Sequence, residues 1–125
     1  MLKFYLCEHC GNQVQMVKDS KVPPFCCGSK MKELIPGTVD ASLEKHVPQV
    51  KVEGKKVVVE VGSVAHPMID VHYIEWVALE SKDGYQLKYL KPNDAPSVVF
   101  DLSENDEYVN VYAYCNLHGL WKANE

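Results

Sequence analysis

The chain has 125 residues, 46% of them hydrophobic and 24% charged, which is the composition of a globular protein with one ordinary domain or two very small ones. Its formal net charge of −4 argues against nucleic acid and anionic membrane surfaces as partners. No apolar run approaches the length of a membrane span, and the first residues lack the apolar core of a signal peptide. We therefore expect a cytoplasmic protein with reduced thiols, in which five cysteines indicate metal binding before disulfides.

The first 36 residues are too few for a sizeable core and are predicted to need a metal or disulfides to fold. Cys7 and Cys10 lie on one tight turn, and Cys26 and Cys27 follow after fifteen intervening residues. Four thiolates at this spacing favour iron or zinc, and the spacing leaves the choice between the two metals open. Because adjacent side chains of an extended chain diverge, binding by Cys26 and Cys27 should open the angle between their sulfurs. His9 is expected to face the solvent.

From about residue 46 onward the apolar residues alternate with period two, which is typical of β-strands. Residues 50–52 and 57–61 predict a hairpin, and further strands are predicted at 73–79, 85–90, 97–102 and 108–115. On the last of these, Cys115 should share a face with Val109, Val111 and Ala113. Five to seven short strands separated by turns predict an antiparallel β-sandwich.

The fifth cysteine and four of the five histidines lie at the ends of these elements: His46, His66, His72, Cys115 and His118. Each residue alone is weak evidence, because a lone histidine is more often a surface or packing residue than a ligand, and a lone buried cysteine is usually inert. As a set, imidazoles with one thiolate suit iron, zinc or copper. Five protein ligands that leave one octahedral position open favour a reactive iron over a structural zinc.

Six motifs follow one another along the chain: Cys-x-x-Cys-Gly-Asn, Cys-Cys-Gly-x-x-Met, Glu-Lys-His-Val-Pro, Gly-Ser-Val-x-His-Pro-Met, His-x-Ile-Glu-Trp and Cys-Asn-x-His-Gly-x-Trp-Lys. With this ordered set, the sequence resembles the desulfoferrodoxin family of two-iron superoxide reductases over essentially its whole length. The resemblance implies an all-β protein. Residues 1–36 would form a desulforedoxin-like domain, and residues 37–125 an immunoglobulin-like sandwich.

The resemblance also implies two iron ions per chain and a homodimer. A rubredoxin-like iron would be bound by Cys7, Cys10, Cys26 and Cys27. A square-pyramidal iron would have Cys115 as its axial ligand, and its equatorial ligands would be His46, His66, His72 and His118. Every one of these positions is filled in this chain.

The activity implied by the resemblance is one-electron reduction of superoxide to hydrogen peroxide at the open sixth position of the ferrous iron. Rubredoxin or a similar small protein would supply the electrons. Lys45, next to His46, is expected to attract the anion and to order a water that delivers protons. Glu44 is the family's candidate for a sixth ligand once the iron is ferric. Without the resemblance, this pair would be interpreted as exposed charges in a loop.

Three other functions remain open at this point. They are a non-catalytic electron-transfer protein with two irons, a zinc-stabilised binding module, and a superoxide dismutase. The four-cysteine iron could be an electron relay or a structural element. Trp76 and Trp121 are expected in the core or at a dimer interface rather than as electron-transfer stations.

Overall fold

The computed structural model describes residues 1–123, and the chain forms two compact units, Met1–Ile35 and Pro36–Glu125. In both units the regular secondary structure is nearly all β-strand, as predicted. Within the described part of the chain, α1 (Leu43–His46) is a single helical turn, and no helix has the length and apolarity needed to cross a membrane.

The first unit contains five short strands: β1 (Phe4–Leu6), β2 (Gln13–Gln15), β3 (Phe25–Cys26), β4 (Ser29–Lys30) and β5 (Lys32–Leu34). Strand β1 pairs antiparallel with β2 and β5, and β3 forms a hairpin with β4. The buried cluster is small: Tyr5, Cys7 and Met31, with Met16 and Cys26 packed against it. So little apolar burial agrees with the expectation that this unit depends on a metal.

The second unit is an antiparallel sandwich of two sheets, as predicted. One sheet has the order β10 (Ser97–Asp101), β7 (Lys56–Val61), β6 (Pro48–Glu53). The other has the order β12 (Gly119–Lys122), β11 (Tyr108–Cys115), β8 (Ile74–Ser81), β9 (Gly84–Tyr89). The core between them consists of apolar side chains from both sheets, among them Val57, Val59, Ile74, Leu79, Phe100 and Val111.

Strand β11 confirms part of the predicted alternation and corrects the rest. Val111, Ala113 and Cys115 are fully buried in the core, but Val109 is 51% exposed, so its predicted place on that face is wrong. The pairing with β8 shifts at Val109, which is the extra residue of a β-bulge. A bulge inverts the alternation beyond it, and Tyr108 packs against the core instead.

Two short elements next to the histidines were not predicted from the sequence. Helix α1 is one turn that ends at His46 and is closed by a bond from the Val47 N–H to the Leu43 carbonyl. Strand β12 returns directly after His118, and Gly119 adopts φ 77° at its start. Each element has only four residues, which is too short for a periodic pattern.

The carboxylate of Asp106 stabilises the turn between β8 and β9. Ser81 Oγ donates to its Oδ2 at 2.6 Å, and the N–H groups of Asp83 and Glu107 donate to its Oδ1 at 3.0 and 2.8 Å. Led by the Ser81 bond, these donors hold the pKa of Asp106 below its ordinary value of 3.8.

We expect Asp106→Asn to lower the melting temperature at neutral pH, because an amide cannot accept all three bonds. A depressed native pKa stabilises the fold above pH 3.8, and that contribution disappears as the pH falls through the native value. The difference in melting temperature between Asp106→Asn and wild type should therefore become smaller below about pH 4. Asp101→Asn is the control, because that carboxylate is exposed in its ion pair with Lys56 and should matter little. An equal loss in both variants would contradict the assignment.

Candidate metal centres

The four cysteines of the first unit converge on one point. Their sulfur atoms all lie within 4.8 Å of one another, with 3.6 Å between Cys10 and Cys26 and 3.9 Å between Cys26 and Cys27. Metal–sulfur bonds of about 2.3 Å at tetrahedral angles place sulfur atoms about 3.8 Å apart. All five cysteines of the chain are free thiols. The spacing therefore fits a tetrahedral four-thiolate metal site and not disulfides.

The backbone at Cys27 explains how two adjacent cysteines face the same point. Cys27 adopts φ 54° and Gly28 φ 76°, both in the left-handed region that side chains with a Cβ rarely occupy. This turn brings both sulfurs to one side, where an extended chain would separate them. The predicted opening of the angle between the two adjacent sulfurs stays a prediction.

Hydrogen bonds favour the thiolate form of Cys7, whereas contacts with neighbouring thiols raise the pKa of Cys26, mainly through Cys7, and that of Cys27 to about 12, mainly through Cys10. The Cys10 N–H donates to Cys7 Sγ at 3.5 Å, and this contact is the main cause that lowers the pKa of Cys7 to about 6. Asn12 Nδ2 donates to Cys26 Sγ at 3.7 Å. Thiolates are the form that binds metals, so these donors favour metal binding. His9 is exposed, as predicted.

In the second unit four imidazole rings form a square belt. Neighbouring rings lie 4.6 to 5.0 Å apart between centroids and meet edge to face, at angles of 76° to 88°. The diagonal from His46 to His72 is longer, at 6.3 Å, and those two rings are only 30° from parallel. Such a propeller directs one nitrogen of each ring toward a common centre. The members of the belt, in order, are His46, His66, His72 and His118.

The inward nitrogens have the spacing of metal ligands. His46 Nε2 lies 3.1 Å from His66 Nε2 and 3.1 Å from His118 Nδ1. Metal–nitrogen bonds of about 2.1 Å at a right angle would separate two nitrogens by about 3.0 Å. His72 Nε2 is the one buried side-chain polar atom among the described residues without a hydrogen-bond partner. A metal at the centre would supply this missing partner.

Cys115 adds a sulfur on the core side of the belt. Its Sγ lies within 4.8 Å of the ligand nitrogens of His46, His66 and His72, and 3.9 Å from His118 Nδ1. The side chain is fully buried, and burial raises the pKa of the thiol, so metal binding is what would make it a thiolate. The structure thus brings together all nine predicted ligands in two sites.

Backbone carbonyls and burial prepare two of the rings for coordination. His46 Nδ1 bonds the Ser42 carbonyl and His66 Nδ1 bonds the Pro67 carbonyl, each at 2.7 Å. These bonds place the proton on Nδ1 and leave the Nε2 lone pair directed inward. Burial is the main cause that lowers the pKa of His46, and it lowers the pKa of His66 to about 4. Both shifts favour the neutral form of the ring, which metal ligation requires.

Trp121 supports two members of the belt. Its ring stacks on His46 at 5.0 Å between centroids and 29° between planes, and its Nε1 donates to the His118 carbonyl at 3.0 Å. Trp76 is also buried and stacks on Tyr114. The sequence predicts burial of both tryptophans but not the contact of Trp121 with the histidines. The signal for that contact is the position of Trp121, three residues after His118.

Glu44 and Lys45 are exposed on helix α1, directly before His46. Glu44 O accepts bonds from the Val64 N–H at 2.9 Å and Ser63 Oγ at 3.2 Å. Gly62 lies so close that a Cβ there would stand 2.6 Å from Lys45 O and 2.8 Å from Glu44 O. The backbone of the pair is thus held against the turn that precedes His66. After burial and the neighbouring histidines, the Lys45 charge also lowers the pKa of His46 and His72.

Comparisons with known proteins find close relatives of the chain. Residues 38–124 match the family model described as desulfoferrodoxin. A desulfoferrodoxin homolog of Archaeoglobus fulgidus is 43% identical over 98% of this chain and 97% of its own length. The superoxide reductase from Treponema pallidum superposes with a TM-score of 0.84 at 41% identity, covering 99% of both chains. A one-iron superoxide reductase from Giardia intestinalis covers 63% of this chain and 94% of its own, with a TM-score of 0.54 and 32% identity.

We expect Cys27→Ser to remove one metal ion per chain and Cys115→Ser to weaken binding of the other. Each substitution deletes a thiolate from a different cluster, and the two clusters lie in different compact units. Metal analysis per chain, with visible spectra of each variant, measures the outcome. Loss of both metals from either variant would contradict two separate sites.

Proposed function

Because the chain belongs to the desulfoferrodoxin family, which is an iron family, and its two ligand clusters match two iron centres, we propose that it is a superoxide reductase. The reaction takes one superoxide, one electron and two protons to one hydrogen peroxide. The similarity to known superoxide reductases supports this specific activity within the broader class of oxidoreductases. We further propose a cytoplasmic homodimer that receives electrons from rubredoxin or a similar small iron protein, as family membership suggests.

The observation that carries the proposal is the belt of four imidazoles with the buried sulfur of Cys115 behind it. Cys115 is fully buried, whereas His72 and His118 are only half-buried. The thiolate therefore lies toward the core and the opposite face of the belt toward the surface. Five donors in this arrangement leave one position for a small substrate. A purely structural metal site is normally closed by protein ligands on all sides.

Bound iron would supply the transferred electron and an open position for the substrate. The protein's part is to keep the ligand rings neutral and fixed in direction, which the Ser42 and Pro67 carbonyls do for His46 and His66. Burial of Cys115 excludes water from the thiolate side, so protons reach the substrate from the surface side only.

Lys45 is proposed to attract superoxide to this surface. The net charge of −4 repels an anion, so a local positive charge is needed beside the site. Lys45 is exposed, adjacent to His46, and its backbone is held by the turn at Gly62. Its ammonium group can also order a water that donates protons to the reduced substrate.

Glu44 is proposed to become the sixth ligand when the iron is ferric. Its carboxylate is exposed on the same turn, and a carboxylate compensates the extra positive charge of the oxidised metal. Occupying the open position would also help to displace the product. Both residues are proposed to act beside the metal, not to bind it in the reduced state.

We expect the reduced protein to consume one superoxide per catalytic iron and to release one peroxide without evolving oxygen. It should then stop reacting until it is re-reduced. Stopped-flow mixing with superoxide, with peroxide and oxygen measured afterwards, tests this expectation. Sustained oxygen release without a donor would indicate a dismutase. A superoxide decay no faster than in buffer would indicate a non-catalytic electron-transfer protein.

We expect Lys45→Ala to slow the second-order reaction with superoxide by about ten-fold or more at low ionic strength. The difference should shrink as salt is added, because screening shortens the range of the field to about 3 Å at 1 M. The rate constant is measured by pulse radiolysis over a salt series. Lys51→Ala is the matched control, since it changes the net charge equally but removes a lysine paired with Glu53 on β6. Equal rates for wild type and Lys45→Ala at low salt would refute the steering role.

Glu44→Ala serves as the opposite-charge control in the same turn. It should leave the superoxide rate undiminished and change the visible spectrum of the ferric protein, because the carboxylate ligand is lost. An unchanged ferric spectrum would count against carboxylate ligation.

A further inference from the structure

Asn116 lies between two proposed ligands, Cys115 and His118, and its side chain reaches the segment that carries a third. Asn116 Nδ2 donates to the Val71 carbonyl at 3.1 Å, and its Oδ1 accepts from the Tyr73 N–H at 2.9 Å. Its backbone N–H also donates to the Tyr73 carbonyl at 3.2 Å. Three hydrogen bonds from one residue therefore hold the backbone on both sides of His72.

The segment around His72 needs such an attachment. His72 exchanges backbone hydrogen bonds with Ile69, each 3.0 Å long, so residues 69–72 form a turn bonded within itself. The rings of His46 and His66 are fixed by bonds from their own Nδ1 atoms to carbonyls. For His72, the described contacts fix the backbone instead, and its buried Nε2 has no hydrogen-bond partner. The orientation of this ring therefore depends on how the turn is attached.

We propose that Asn116 is a positioning residue that sets the place of His72 relative to the Cys115 thiolate. It joins the 71–73 segment to the turn that bears Cys115 and His118, so that three ligands share one hydrogen-bonded unit. Cys115 also faces Ile74 across the β11–β8 pairing, so the Asn116 bonds extend that pairing beyond the end of the sheet. This inference rests on the ligand set proposed above and adds a residue that touches neither the metal nor the substrate.

Loss of the Asn116 side chain should displace His72 from its place in the belt. Without the amide, the Tyr73 N–H and Val71 carbonyl lose their partners, and the 69–72 turn can shift relative to β11. The His72 nitrogen would then no longer sit at the corner of the square. Supporting groups of this kind typically change metal affinity by about ten- to a hundred-fold.

The test compares Asn116→Ala and Asn116→Gln with wild type in the iron-loaded full chain. We expect Asn116→Ala to weaken iron binding about ten-fold or more against a chelator and to shift the ferric thiolate absorption band. The Gln variant keeps the amide on a longer stem, so its shift should be smaller. It also keeps the proposal testable if the Ala variant fails to fold. Asn110→Ala is the matched control, because Asn110 lies on β11, the strand that leads into Asn116, and its Oδ1 accepts from the adjacent Val111 N–H at 2.8 Å.

A lower melting temperature with the wild-type spectrum and iron affinity in both Asn116 variants would overturn the proposal, since a merely structural residue gives that result. The same readouts separate this failure from failure of the proposed function. If the wild-type protein itself lacks the second iron or does not reduce superoxide, the function is wrong. If wild type does both and the variants match it, only the role of Asn116 is wrong.

Discussion

The second unit depends on one constraint: four imidazole rings must meet edge to face around a point that a buried thiolate also reaches. His46 precedes β6 and His66 follows β7 in one sheet, while His72 precedes β8 and Cys115 ends β11 in the other. The site therefore lies at one end of the sandwich and joins both sheets. Packing of the two sheets fixes the strand ends, and short turns bring the ligands from those ends to the centre.

The four rings of the belt are held in place by different neighbouring groups. Carbonyls fix His46 and His66 directly, Trp121 stacks on His46 and holds the His118 carbonyl, and Asn116 holds the backbone around His72. Gly62 leaves room for the Glu44 and Lys45 carbonyls, so the backbone of this exposed charged pair is fixed directly before His46.

The sequence predicts what depends on local pattern and residue type. Period-two alternation with glycine turns locates β6 to β11, and the chemistry of cysteine and histidine separates the nine ligands into two groups. It misses β12 and α1, which are too short for a period, and it misplaces Val109, because a bulge is a property of strand pairing. It also cannot show that Cys27 is left-handed, or that His46 meets His118 across 72 positions. Those features arise from the three-dimensional packing of segments distant in sequence.

The order of the ligands along the chain has a consequence for how the protein matures. All four cysteines of the first cluster have been synthesised once residue 27 is made, within a unit that ends at Ile35. The second cluster begins at His46 and lacks its last member until His118 is made. Since a nascent chain folds from its N-terminus, the first metal can enter during translation, whereas the second must wait for nearly the whole sandwich.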